Sequence, residues 1–205
     1  MEFTLRYRGP LPPHSVREKR VPEKQSVRRH IHAQLETLWA TDPRLVKINP
    51  KTLQASIRKG AAFDVQRPIV GDDKFFYRYS LGGFDFIPLI NTPSEARCHL
   101  AIRLYCANAP GNIIFDGGDL DNRLKTLFDA LRMPLDEDQL GESAATNGET
   151  LFCLLESDRL ITKVSVESIR LLGPIPEDRS YAELDIDVTV LAVTPMMGTI
   201  GLLYP

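Results

Sequence analysis

The stretch FDGGDLDNRLKTLFDAL, residues 115–131, combines a Gly-Gly pair, two closely spaced aspartates and the apolar spacing of a helix. On a helical wheel its large apolar residues share one arc of about 100°, the width of a core-facing stripe. They are Leu120, Leu124, Leu127, Phe128 and Leu131. Asp121 lies at the edge of that arc, and Lys125 lies one turn further on. The pattern predicts a helix over residues 120–132 that buries its leucines and presents its charges on one flank.

Asp119 and Asp121 are carboxylates that repel one another unless a cation or hydrogen-bond donors lie between them. Helix capping, the helix dipole and an i,i+4 pair with Lys125 are one explanation for such residues. Two aspartates behind two glycines exceed what a cap requires. Hard oxygen ligands of this kind suit Mg²⁺ or Mn²⁺. Both explanations remain open at this point.

A third carboxylate favours the metal explanation. Glu156 and Asp158 directly precede an apolar strand that begins around Leu160. If that strand lies beside residues 98–106 in a sheet, we expect Asp158 to reach the N-terminus of the 120–132 helix. Three converging carboxylates and a lysine suit metal-assisted hydrolysis of a phosphodiester.

The rest of the chain predicts an α+β fold with a mixed or antiparallel sheet, because strands and helices do not alternate strictly. Residues 133–149 are acidic and polar, which predicts an exposed inserted loop. Alternating or apolar runs predict the strands, a hairpin is predicted around Gly82-Gly83, and two further helices are predicted. The strands are 2–8, 75–80, 84–90, 98–106, 160–172 and 181–193, and the helices are 22–40 and 50–59.

The net charge of −2 conceals a strong asymmetry. Residues 1–60 carry 13 Lys/Arg against 5 Asp/Glu, a balance of +8, whereas residues 61–205 carry 12 against 22, a balance of −10. One interpretation is an uneven but ordinary surface. The other is a basic segment that neutralises nucleic-acid phosphates beside an acidic half that holds metal. The candidate phosphate contacts on and before the first helix are Arg17, Lys19, Arg20, Lys24, Arg28 and Arg29.

Composition sets further expectations about location and redox state. No apolar run is long enough to span a membrane, and the first residues lack the apolar block of a signal peptide, so we expect a cytoplasmic protein without a membrane partner. The odd number of cysteines, 3, and the lack of a C-x-x-C spacing argue against a disulfide framework or a zinc site. Reduced cysteines in the core are expected.

The segment DLDNRLKTLFDAL (119–131), followed by an acidic segment leading into a strand, resembles the RusA family of Holliday-junction resolvases. The resemblance implies that Asp119, Asp121 and Asp158 bind metal and that Lys125 is the essential lysine. It also implies a RusA-like fold, Mg²⁺-dependent cleavage of branched DNA and a homodimer. The likeness is close over 119–131, looser over 151–193 and only topological before residue 98.

This chain also differs from the family pattern. The segment between the helix and Asp158 is longer and contains PLDEDQL, in which Asp136, Glu137 or Asp138 could supply the third carboxylate instead. The part before residue 98 is longer than a minimal resolvase needs. We expect residues 1–205 to form a single domain, with an enlarged N-terminal part (1–97) that carries the basic segment and a catalytic core (98–193).

Two other functions fit parts of the pattern. A non-catalytic DNA-binding or assembly protein could retain the same fold. A nucleotide-sugar transferase could use Asp-x-Asp to hold Mn²⁺, but such enzymes usually end a strand with the motif inside a nucleotide-binding domain. Here a helix begins at once, so the metal-dependent endonuclease is the leading hypothesis.

Overall fold

The computed structural model describes residues 1–15, 20–46, 78–107, 120–141, 148–172, 176–178 and 180–192, together with the backbone of Val65–Gln66. The fold is α+β, with two four-stranded mixed sheets and few helices. The strands are β1 (Glu2–Pro10), β2 (Val65–Gln66), β3 (Arg78–Leu81), β4 (Phe84–Ile90), β5 (Ala96–Cys106), β6 (Glu149–Leu155), β7 (Ile161–Arg170) and β8 (Tyr181–Ala192). The α-helices are α1 (Val21–Thr41), α2 (Pro43–Val46) and α3 (Leu120–Leu131).

The first sheet has the strand order β1-β8-β5-β7. Its inner strand β5 is antiparallel to β8 and parallel to β7, so the mixed sheet predicted from the sequence is confirmed. Every second residue of β5 is buried, from Ala96 to Cys106, as expected for a strand with one face on the core. The opposite face of this sheet carries charged side chains.

The second sheet has the order β2-β3-β4-β6. The hairpin between β3 and β4 confirms the turn predicted at Gly82-Gly83, where both residues have positive φ, 56° and 82°. Two consecutive positive φ values characterise the two-residue turns that match the twist of antiparallel strands, and glycine adopts them without steric cost. β6 then pairs with β4 in parallel.

One core joins both sheets to α1 and α3. Helix α1 contributes Val27, Ile31, Leu35 and Trp39 to it, and the Trp39 ring lies 5.5 Å from that of Phe152 on β6. The predicted helix at 22–40 is therefore confirmed, with a bulky aromatic residue on its buried stripe. In the described part of the chain, neither long helix has the apolar run that crossing a bilayer requires.

The three cysteines are buried and unpaired, as expected. Burial raises the pKa of the Cys98 thiol to about 12. Burial likewise raises the pKa of the Cys153 thiol to about 12, although nearby Arg28 acts in the opposite direction. These thiols are core residues.

Two features of the segment after α3 differ from the prediction. Residues 133–149 were expected to form an exposed loop, but Met133 and Leu140 are buried in a second apolar cluster beneath the β3–β4 hairpin. A 3₁₀ helix, Glu137–Gln139, sets Leu140 directly against Gly82. Strand β6 was not predicted at all. The predicted helix at 50–59 and the residues 75–77 of the predicted strand lie outside the described residues.

The fold makes a stability prediction for α3. Leu127 is completely buried, so Leu127→Ala should leave a cavity and lower the free energy of unfolding by about 3 kcal/mol. Leu135, just after the helix, is 50% exposed, so Leu135→Ala should change it by less than about 0.5 kcal/mol. Urea unfolding of both variants checks the expectation, and equal losses would contradict the packing of α3 described above.

Candidate functional site

Helix α3 presents Asp121 and Lys125 to solvent on one flank. The Asp121 Oδ1 accepts a hydrogen bond of 2.8 Å from the backbone N–H of Asn122, which is its own chain neighbour. Neither side chain forms an ion pair with any residue that the structure describes, so the i,i+4 pair considered from the sequence is not formed. Asp119 lies outside the described residues.

The chain leaving β1 packs against the first turn of α3. The backbone N–H of His14 donates to the Asn122 carbonyl at 2.9 Å. The pKa of the His14 imidazole is lowered, first by burial and then by the nearby charges of Lys125 and Lys24. The sequence gives His14 no motif, so its place beside Lys125 becomes visible only in the fold.

Asp158 is exposed and begins a 3₁₀ helix, Asp158–Leu160, that leads into β7. Ser157 caps this turn, with its Oγ accepting from the backbone N–H of Arg159 at 3.4 Å. β7 lies beside β5, as the sequence suggested, and their pairing begins with Ile161 opposite Cys98. That pairing is parallel, which fixes the end of the sheet from which Asp158 extends.

The parallel pairing places the neighbours of Asp158 at the C-terminal end of α3. Arg132 bridges Leu155, and the backbone N–H of Met133 donates to the Leu155 carbonyl at 2.9 Å. Asp121 lies at the other end of this helix of 12 residues, which is about 18 Å long. The 3₁₀ helix that begins with Asp158 also contacts α3, and Asp119 lies outside the described residues, so the convergence of the three carboxylates stays a prediction. Over the described ranges, no three His, Cys, Asp or Glu residues are grouped to hold a metal ion.

The rival acidic segment has a local structural task. Asp136 caps the 3₁₀ helix that follows it, and its carboxylate accepts from the Gln139 backbone N–H at 3.1 Å and from the Gln139 Nε2 at 3.3 Å. Among the described residues, the Asp158 carboxylate accepts one side-chain hydrogen bond, from the adjacent Ser157 hydroxyl at 3.4 Å. The capping role of Asp136 gives a sufficient reason for its presence without a metal.

Two cations of the basic segment, Lys24 and Arg28, bind Asp129 and so connect α1 to α3. The Lys24 Nζ and the Arg132 Nη2 contact the Asp129 carboxylate at 2.7 and 2.8 Å. Arg28 is only 2% exposed, and its Nη2 donates to the Asp129 backbone carbonyl at 3.1 Å. Burial lowers the pKa of the Arg28 guanidinium. Arg28 therefore does not belong to an exposed basic face, because its helical position points it at α3.

The remaining cations of this segment also have partners. Arg29 pairs with Glu149 at 2.9 Å and lies 5.9 Å from the centre of the Phe84 ring. Arg20 is 3.6 Å from Glu23. Arg17 and Lys19 lie outside the described residues. The part of the basic segment that can be seen is thus largely neutralised within the fold.

No family model, curated protein or solved structure matches this chain. The functional interpretation therefore rests on its own residues and on the resemblance over 119–131. Among those residues, Asp121 and Lys125 stand apart from the internally paired charges around Asp129. Their exposure leaves them available to a ligand.

The Asp129 cluster predicts an acid-sensitive joint. Burial alone would raise the pKa of Asp129, but hydrogen bonds from Lys24 and Arg132 outweigh it and hold the pKa below its usual range. The ionised carboxylate thus stabilises the fold above the unfolded-state pKa of about 3.9, and this stabilisation disappears as the pH falls through the lower folded-state pKa. Asp129→Asn should lower the free energy of unfolding by about 3 kcal/mol at pH 7.

Urea unfolding of wild type and Asp129→Asn between pH 7 and pH 3 checks this. The difference in the free energy of unfolding between wild type and Asp129→Asn should be constant above about pH 5 and shrink below about pH 4. Asp185→Asn, which removes a carboxylate from exposed ion pairs, is the control and should cost less than about 1 kcal/mol. A difference that grows on acidification would contradict the prediction.

Proposed function

We propose that this protein is a Mg²⁺-dependent endonuclease that cleaves branched DNA by metal-assisted phosphodiester hydrolysis. The observation that carries the proposal is the exposed pair of Asp121 and Lys125, one turn apart on α3 and unpaired within the described residues. Charges used by the fold are neutralised nearby, as Asp129 is. Exposed charges that no described residue neutralises are available to a metal and to a phosphate.

The donor chemistry fits a hard divalent cation. Asp121 offers carboxylate oxygens, of which only Oδ1 accepts a hydrogen bond from a described residue. Asp119, two residues earlier, and Asp158 would complete the set that holds Mg²⁺ or Mn²⁺. When bound, the ion activates water and balances charge on the leaving oxygen.

Lys125 supplies a positive charge of its own. Because no described carboxylate neutralises it, its ammonium can bind a phosphate oxygen of the substrate beside Asp121. Charge that develops on the phosphate during hydrolysis is then stabilised by a group held on a rigid helix. His14 adds a second polar group at the same end of α3. A homodimer acting on two strands of a branched DNA is part of the same proposal.

A non-catalytic DNA-binding or assembly protein is the second candidate. One observation favours it: the segment before Asp158 is anchored at the end of α3 opposite to Asp121. A protein that retained the fold without a complete set of metal-binding carboxylates would have the same described structure as an active endonuclease. Metal-dependent cleavage separates the two functions.

The first test concerns metal. If Asp121 shares a cation with other carboxylates, Mg²⁺ or Mn²⁺ should bind the folded state and raise the melting temperature. The free energy of unfolding should increase by about 2.7 kcal/mol at 100 times the dissociation constant. Asp121→Asn should retain the fold and lose most of this gain. Differential scanning calorimetry with and without Mg²⁺ measures it, and an equal metal-dependent shift in Asp121→Asn would remove Asp121 from the site.

The second test is cleavage of a labelled four-way junction, with linear duplex as the comparison substrate, in the presence and absence of Mg²⁺. Lys125→Ala should retain metal and junction binding but lower the cleavage rate by about 100-fold, the scale of losing one electrostatic stabiliser. Asp158→Asn should abolish cleavage and weaken metal binding.

Asp136→Asn is the matched control for Asp158→Asn, because it removes an equal charge from the rival segment. It should cut at the wild-type rate once corrected for stability. The reverse result would assign the third carboxylate to residues 136–138. Wild-type rates in all three variants would remove Lys125 and both acidic segments from the site, and absence of Mg²⁺-dependent cleavage by wild type would refute the endonuclease proposal.

A further inference from the structure

The outer face of the first sheet, opposite the core, is divided into two halves of different charge. In the half near the end of β5, arginines and carboxylates alternate across the strands. Arg6 and Arg103 contact Asp185 at 3.2 and 3.7 Å. Arg8 pairs with Glu183 at 3.1 Å in the same half. This half is neutralised by its own ion pairs.

The half near the start of β5 carries cations without such partners. Arg97 and His99 of β5 lie on the outer face, and Lys163 of β7 is the register partner of His99. Arg97 donates from Nη1 to the Ala96 carbonyl at 2.9 Å, and no described carboxylate forms an ion pair with Arg97 or Lys163. We call Arg97 and Lys163, together with the neighbouring His99 imidazole, the cationic patch.

The surroundings of the cationic patch leave room for an approaching chain. The next register pair along the same face consists of two small exposed residues, Ala101 and Ser165. Across β8, the row of His99 continues to Thr189, whose hydroxyl is 3.3 Å from Glu2 on β1. In the row of the patch the carboxylate, Glu2, lies on the far edge strand, and in the next row Asp187 of β8 is already paired with Arg103 at 3.2 Å.

We propose that the cationic patch binds the phosphate backbone of DNA. This inference rests on the proposed function and names the surface by which that substrate is held. Lys163 follows Asp158 by five residues, so the patch lies at the end of the sheet where the segment with one proposed metal ligand enters β7. A polyanion gains affinity wherever Lys or Arg replaces its condensed counterions.

The experiment compares two double variants that remove the same number of charges. Arg97→Ala with Lys163→Ala removes the patch, and Arg6→Ala with Arg8→Ala removes two arginines of the neutralised half. Binding of a labelled four-way junction is measured in EDTA, so that no cleavage occurs, as a function of salt concentration. The patch variant should lower the slope of log K against log salt by about two units, and the control should keep the wild-type slope.

Thermal unfolding of both variants shows that they are folded before binding is compared. A wild-type slope in the patch variant, with Mg²⁺-dependent cleavage by wild type intact, would overturn the patch and leave the endonuclease proposal standing. Binding with the expected slopes but without cleavage would support the patch and replace the endonuclease with a DNA-binding protein. Absence of both binding and cleavage in wild type would overturn both proposals.

Discussion

The parallel pairing of β5 with β7 is the constraint on which most of the molecule depends. Parallel strands cannot be joined by a tight turn, so the chain must travel back to the start of the sheet before β7 begins. Here the return includes α3 and β6, and it brings Leu155 to the end of α3. The segment that leads from β6 to Asp158 therefore starts beside the C-terminal end of α3.

The partly buried charge cluster around Asp129, between α1 and α3, is the second organising feature. Asp129 holds Lys24 and Arg132, and its backbone holds Arg28, so cations that look alike in the sequence have different tasks in the fold. A buried pair is costly to break because the remaining partner stays desolvated. Helix α1 is therefore tied to α3 by charge as well as by packing. The basic N-terminal balance is in this part an internal requirement of the fold.

The sequence predicted the elements with clear periodicity. The α+β class, the hairpin at Gly82-Gly83, α1, α3 and the strands β5, β7 and β8 follow from apolar spacing and turn residues, which are local properties. β6 was missed because its run of apolar residues is buried on both faces and shows no alternation. The direction of pairing between β5 and β7 was also not readable, since it depends on the return path of the chain.

The candidate site was predictable in the same uneven way. The exposure of Asp121 and Lys125 follows from the helical wheel of α3. The burial of Arg28 does not follow from the sequence. The apolar residues of α1, which recur every four residues, predict one buried face but do not show that α3 packs against the side that carries Arg28.

The ion pairs on the outer face of the first sheet respond to both salt and temperature. Salt screens them, whereas heating lowers the free-energy cost of dehydrating their charges. The ion pairs on the outer face of the first sheet should thus contribute more to the stability of the fold at low salt and high temperature than at high salt and low temperature.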